Sequence, residues 1–180
     1  MKYEVQRDLQ RSTSAFEKLI WPIVLPWIGG GELLQMENVT DSQFAKILDM
    51  KAGIDGWQIH SDGMRGIASR IQQGNKAWNT FTVRMFRMSG ALTEYDKRSI
   101  AIETGKYIYP DLTIQSYIKT WSGPILSIGM ARTADIITFI KLNFHTIKRT
   151  TNAGFAVCPW SKMQEHGFLV KARTWTPLNV

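Results

Sequence analysis

One domain of the α/β or α+β class, spanning residues 1–180, is the fold this sequence predicts, and three observations carry the expectation. With 180 residues and 44% hydrophobic side chains, the chain can fill one core and is short for two ordinary domains. Stretches with helical spacing of apolar residues alternate with stretches in which every second residue is apolar. No internal repeat or low-complexity segment interrupts that order.

A first helix is expected from about Ser12 to Trp21, because Val5, Leu9, Phe16 and Ile20 recur at roughly helical spacing. Ser12 or Ser14 can cap it, and Pro22 kinks or ends it. Gly29, Gly30 and Gly31 read as a flexible turn, since the Lys-Ser or Lys-Thr pair of a phosphate-cradling loop does not follow. A short strand is expected within Glu32 to Val39. Asp41 then caps a helix whose Phe44, Ile47 and Leu48 form one stripe ending near Gly53.

Ile54 to Arg87 reads as three successive strands and contains the polar cluster that looks most like a site. Asp62-Gly63 is the strongest short signal for a two-residue type I′ hairpin, because Gly tolerates the positive φ of that turn. In that register Ser61 pairs with Met64, Trp57 with Ala68, Asp55 with Arg70 and Gly53 with Gln72. Directly opposed residues share a face, so Asp55, Arg70 and Gln72 would converge on one side. A three-residue turn shifts the register by one and places Ser69 opposite Asp55 instead. Asp55 and Arg70 also make sense as an ordinary cross-strand ion pair with no further role. The third strand runs from Trp78 to Arg87, with Phe81, Val83 and Met85 alternating with Thr80, Thr82 and Arg84.

Thr93 with Asp96 forms a capping-box-like start for a helix to about Glu103, which carries Lys97 and Arg98 as an exposed pair. Strands follow at Leu112 to Lys119 and Ile125 to Ala131, separated by the turn Ser122-Gly123-Pro124. Thr133 is expected to cap a helix over Ile136, Ile137, Phe139 and Ile140. After Lys148-Arg149 come a strand at Gly154 to Cys158, a short helix opened by Pro159 and Ser161 and closed by Gly167, and a last strand from Phe168 to Arg173.

Twenty-two Lys and Arg against fifteen Asp and Glu give a net charge of +7, which favours an anionic partner such as nucleic acid. Candidate phosphate contacts are Arg84, Arg87, Lys97, Arg98, Arg132, Lys148 and Arg149, although a solvated basic face accounts for the same residues. Arg132 precedes a helix start, where backbone N–H groups favour a phosphate. Some of the seven tryptophans, Trp57, Trp78, Trp121, Trp160 and Trp175 among them, can stack bases or fill the core.

Other chemistries find little support. His60, His145 and His166 lack the i, i+4 spacing of a helical zinc pair, and Cys158 lies in the apolar run FAVCPW, where a buried structural thiol is ordinary. A single cysteine excludes an internal disulfide framework and fits a cytoplasmic protein. The most apolar stretch, Leu19 to Ile28, falls well short of the about twenty residues of a membrane span, so no membrane association is expected. The N-terminus lacks the apolar core of a signal peptide. A homodimer or a protein partner is compatible with these features.

The order of elements from Ser12 to Ile118 resembles the core of the PD-(D/E)XK nuclease superfamily: a helix carrying Glu17, a strand or two, a strand starting at Asp55, a turn, a strand ending Ser69-Arg70-Ile71-Gln72, a third strand, then a helix and further strands. The resemblance implies a restriction-endonuclease-like core, in which a central mixed sheet is flanked by helices. It also implies a divalent metal, Mg²⁺, held by Asp55 and by Glu17 from the helix. Arg70 stands where the superfamily places its second acid, and Gln72 where it places a lysine, so Gln72 would orient the water or phosphate. Arg supplies donors only, which is a departure at the position where a hard cation wants oxygen. The implied function is nucleic-acid binding with metal-dependent phosphodiester hydrolysis; a non-catalytic nucleic-acid- or protein-binding module is the alternative.

Overall fold

The computed structural model of the chain describes residues 10–36, 52–148, 150 and 154–175. The helix expected after Asp41 lies outside the described residues. Eight strands and four helical segments are described: α1 (residues 10–28), β1 (Glu32–Gln35), β2 (Gly56–His60), β3 (Gly63–Gln73), β4 (Thr80–Arg84), α2 (Glu94–Thr104), β5 (Leu112–Ile118), β6 (Ile125–Arg132), α3 (Thr133–Leu142), β7 (Phe155–Pro159), α4 (Trp160–Glu165) and β8 (Val170–Thr174). The fold is the α/β arrangement the sequence predicts, a mixed sheet flanked by helices. Six strands form that sheet in the order β1-β2-β3-β5-β6-β8, with β3 and β5 parallel and every other neighbour antiparallel.

The third of the three successive strands does not join this sheet. β4 pairs instead with β7, as a separate two-stranded ribbon. The side-chain period of two decides which residues serve which layer. On one face of the main sheet Ile67, Ile114, Ile118, Ile128 and Met130 pack beneath Phe16, Ile20, Trp21, Val24 and Ile28 of α1. On the other face Tyr117 and Ala131 meet the ribbon residues Phe81 and Cys158, together with Ile136 and Ile140 of α3 and Trp160 of α4. Each fully buried side chain of this size contributes about 1.5–3 kcal/mol. Gly129 of β6 allows the closest approach, because a Cβ there would lie 2.3 Å from the Trp160 ring.

Pro22 does not end α1. Lacking an N–H, it leaves the Lys18 carbonyl without an i+4 donor. The helix widens just before it into a π turn, Phe16–Ile20, in which Trp21 N–H bonds to Phe16 O. The helix then continues to Ile28 and stops at Gly29 in the left-handed region. The freed carbonyls at this end are capped from the sheet. Gln58 Nε2 donates to Ile28 O (3.2 Å) and to Gly30 O, Arg65 Nη1 to Ile28 O (3.4 Å), and Lys171 Nζ to Trp27 O (2.6 Å).

The β2–β3 hairpin turns one residue earlier than the Asp62-Gly63 signal implies. His60 pairs with Gly63, so Ser61 and Asp62 form the turn, and Trp57 stands opposite Gly66 rather than Ala68. Local side chains explain the shift: Asp62 Oδ1 lies 2.6 Å and Ser61 Oγ 3.3 Å from His60 Nδ1. Gly63 takes a strand position at φ 147°. Every pair therefore moves by two residues, which leaves Asp55 beyond the end of the ladder instead of opposite Arg70.

Thr133 is the first residue of α3 and not its cap. The N-cap is Arg132, which makes no side-chain cap bond, and the Thr133 hydroxyl lies 2.8 Å from that of Thr113. The capping box of α2 forms as the sequence predicts. Thr93 Oγ1 accepts from Asp96 N–H, Asp96 Oδ2 accepts from Thr93 N–H, and Gly105 closes the helix.

Candidate nucleic-acid interface

Arg70 lies on β3, one residue along from Ser69, and so projects from the face opposite α1. There the β4–β7 ribbon and the start of α2 receive it. Its Nη1 donates to Thr82 O (3.2 Å) and Thr82 Oγ1 (3.1 Å), and its Nη2 donates to Glu94 Oε2 (2.9 Å). The guanidinium carbon stands 4.8 Å from the centre of the Phe155 ring. Arg84 is the direct cross-strand partner of Phe155, and its guanidinium carbon stands 5.0 Å from the same ring. Two cations therefore share one aromatic ring, each pairing worth about 0.5–1 kcal/mol where solvent reaches it.

Glu94 is the hub of this cluster, and the capping box fixes it by setting the first turn of α2. Besides Arg70 it accepts the backbone N–H of Arg84 (3.2 Å). Arg98, one helical turn on, places Nη1 2.7 Å from Glu94 Oε1, close enough for charge pairing but off a hydrogen-bond axis. The Glu94 side chain is 19% exposed and that of Arg98 only 5%. Burial pushes the Glu94 carboxyl up, but the charges of Arg98 and Arg70 outweigh it and hold the group below its ordinary value. Burial pulls the Arg98 guanidinium down, against the opposing charges of Glu94 and Asp55. Two guanidiniums, those of Arg70 and Arg98, thus flank one carboxylate, and the Arg84 guanidinium nearby adds a further positive charge. A polar chain continues from this cluster, Thr82 Oγ1 donating to Gln115 Oε1 (3.2 Å) and Gln115 Nε2 to Gln72 Oε1 (3.4 Å).

The predicted site residues separate into distinct places. Arg70 and Gln72 share the cationic face. Asp55 does not join them: its carboxylate accepts the Ser69 N–H, its own N–H donates to Ile67 O (2.8 Å) and its carbonyl accepts from Met36 (3.0 Å). It lines a cleft of about 80 Å³ beneath α1 with Ser12, Thr13, Gln35 and Ser69. Glu17 is exposed on α1 and does not line that cleft. Asp55 thus continues the β2–β3 ladder by a side chain, as Asp111 does on the other edge of β3, where its Oδ2 accepts the Gly66 N–H (2.6 Å).

Asp55 and Glu17 are the pair that would hold Mg²⁺ under the superfamily resemblance, and their placement does not fit that role. One carboxylate is engaged by a strand amide and the other faces solvent from a different position. Among the described residues no three His, Cys, Asp or Glu side chains come together.

Of the candidate phosphate contacts, Arg84 and Arg87 are exposed at the end of β4 and just beyond it. Arg98 is buried and not the exposed residue the sequence predicts, because it is the ion partner of Glu94. Lys97 beside it is half-buried. Arg132 is exposed and paired with Asp135 at 3.0 Å, away from this cluster on the α3 start. Lys148 is exposed beside β7, where its carbonyl accepts the Val157 N–H, and Arg149 lies outside the described residues. His60, His145 and His166 are all exposed, and Cys158 is buried.

Sequence reasoning missed Glu94 and Phe155. Glu94 carried a signal, since it stands four residues before Arg98 on one helix face. Phe155 carried none, because its pairing with Arg84 joins segments far apart in the chain. Compared with protein-family models, with curated proteins and with solved structures, the chain finds no match.

Proposed function

We propose that this protein is a nucleic-acid-binding module whose contact surface is the Arg70–Phe155–Arg84 cluster, with Arg87 beside it. The observation that carries the reading is the placement of Arg84: its exposed guanidinium is braced on the Phe155 ring and meets no carboxylate among the described residues. An Arg held this way presents planar donors to a phosphate without first breaking an ion pair. Arg70 keeps Glu94, so it orients the ring and adds field more than it adds a contact. The order α1, β1 to β3, α2, β5, with β3 parallel to β5, supports kinship with the PD-(D/E)XK superfamily as a non-catalytic relative.

Titration of a labelled oligonucleotide at several salt concentrations tests the proposal. Affinity falls with salt, and Arg84→Ala lowers the slope of log K against log salt by about one phosphate's worth. Affinity indifferent to salt, or an Arg84→Ala protein that binds as tightly as wild type with the same slope, overturns it. Plasmid and single-stranded DNA incubated with Mg²⁺ or Mn²⁺ stay intact on this reading; cleavage abolished by Asp55→Ala would restore the hydrolytic one.

A further inference from the structure

The strand that bears Arg84 carries a feature that phosphate binding does not require. β4 is bracketed by exposed aromatic side chains, Trp78 two residues before it at 58% exposure and Phe86 two residues after it at 63%. Neither belongs to a core cluster. Phe86 sits against the start of β7, where a Cβ on Gly154 would meet its Cβ, so it adjoins the strand that presents Phe155. Trp78 is braced from below by Lys76, whose Nζ lies 4.3 Å from the ring centre. Arg84, at the end of β4 and so between the two in the chain, carries a third flat group, itself supported by Phe155.

From these exposed planar groups on and beside β4 we infer that the nucleic acid bound here is single-stranded, its bases stacking on Phe86, Arg84 and Trp78 while the cations hold the backbone. The inference rests on the nucleic-acid-binding reading and sharpens it. In a duplex the base faces are already stacked on one another, so exposed rings gain nothing from them. In a single strand every base offers a face, and stacking works without regard to sequence.

Fluorescence anisotropy with labelled single-stranded DNA, single-stranded RNA and duplex DNA of one sequence tests this, on wild type, Phe86→Ala, Trp78→Ala and Trp78→Phe. Both side chains are exposed, and circular dichroism confirms that each variant is folded. Single strands of either sugar bind more tightly than duplex. Each alanine variant loses about tenfold on single strands and little on duplex, and Trp78→Phe retains most of the affinity. Equal affinity for single strand and duplex, with both alanine variants unchanged, overturns the single-strand inference and leaves the nucleic-acid reading standing. Absence of salt-dependent binding to all three probes overturns both.

Discussion

Glu94→Gln is the substitution that probes the cationic cluster most sharply. The change keeps the shape of the side chain and removes the carboxylate that pairs with both Arg70 at 2.9 Å and Arg98 at 2.7 Å. Arg98 then stays buried with its direct partner gone and only the charge of Asp55 still opposing it, close to the situation that costs about 3–5 kcal/mol when one member of a buried pair is deleted. Arg70 is a third exposed and recovers some hydration, so the lower end, about 3 kcal/mol, is expected. For a chain of this length that corresponds to a melting temperature lower by roughly 6–12 °C. The pH dependence follows from the direction of the Glu94 shift. The folded-state value lies below the ordinary 4.5, so the native protein binds fewer protons at this group than the unfolded chain does. The stability it contributes is full above 4.5 and is lost as pH falls through the lower folded value. Urea unfolding of wild type and Glu94→Gln from pH 7 down to pH 3 should therefore show a constant difference at the upper end that shrinks at the lower end. A variant within about 0.5 kcal/mol of wild type at pH 7, the scale of ordinary surface substitutions, would refute the assignment of Glu94 as the hub. So would a difference that does not change with pH.

Gly129→Ala forces a methyl group into the Trp160 ring and should destabilise by about 1–3 kcal/mol or more, with a changed near-ultraviolet circular dichroism signal as the check. Cys158 is buried with its thiol pushed up to about 12, so at pH 8 it should stay unreactive toward an aromatic disulfide reagent until the chain is unfolded, when one thiol titrates. Thr93→Ala removes the cap of α2 and should cost about 1 kcal/mol in urea unfolding, and it should also weaken oligonucleotide binding through looser placement of Glu94.

The parts of this molecule that could be read in the chain are those decided within a few residues. Thr93 and Asp96 satisfy each other across one helical turn, so the start of α2 needed no knowledge of the rest. The alternation of Phe81 and Val83 with Thr82 and Arg84 marked β4 correctly, and both apolar residues are buried. Its partner could not be read, because pairing β4 with β7 is a contest among distant strands that the alternation does not rank. The hairpin register failed for a nearer reason: the His60, Ser61 and Asp62 side chains stabilise a turn one residue before the one Gly63 favours. That two-residue displacement is why Asp55 bonds a strand amide instead of facing Arg70. The burial of Arg98 was hidden because its tolerance depends on Glu94, which in turn is held by Arg70 from another layer.

The capping of α1 also has a consequence for how the chain is assembled. Its helical residues precede every described strand, yet the donors for its carbonyl end come from β2, β3 and, 144 positions downstream, from Lys171 of β8. The first described helix is therefore completed by the last described strand, so its carbonyl end cannot be fully capped until β8 has been made and has docked. Such a closure carries the loop entropy of the 144 positions it spans, so it belongs to the late, slow part of folding. Until Lys171 arrives, α1 covers its apolar sheet face with that last carbonyl unlatched, and a shortened chain ending before β8 would keep it so.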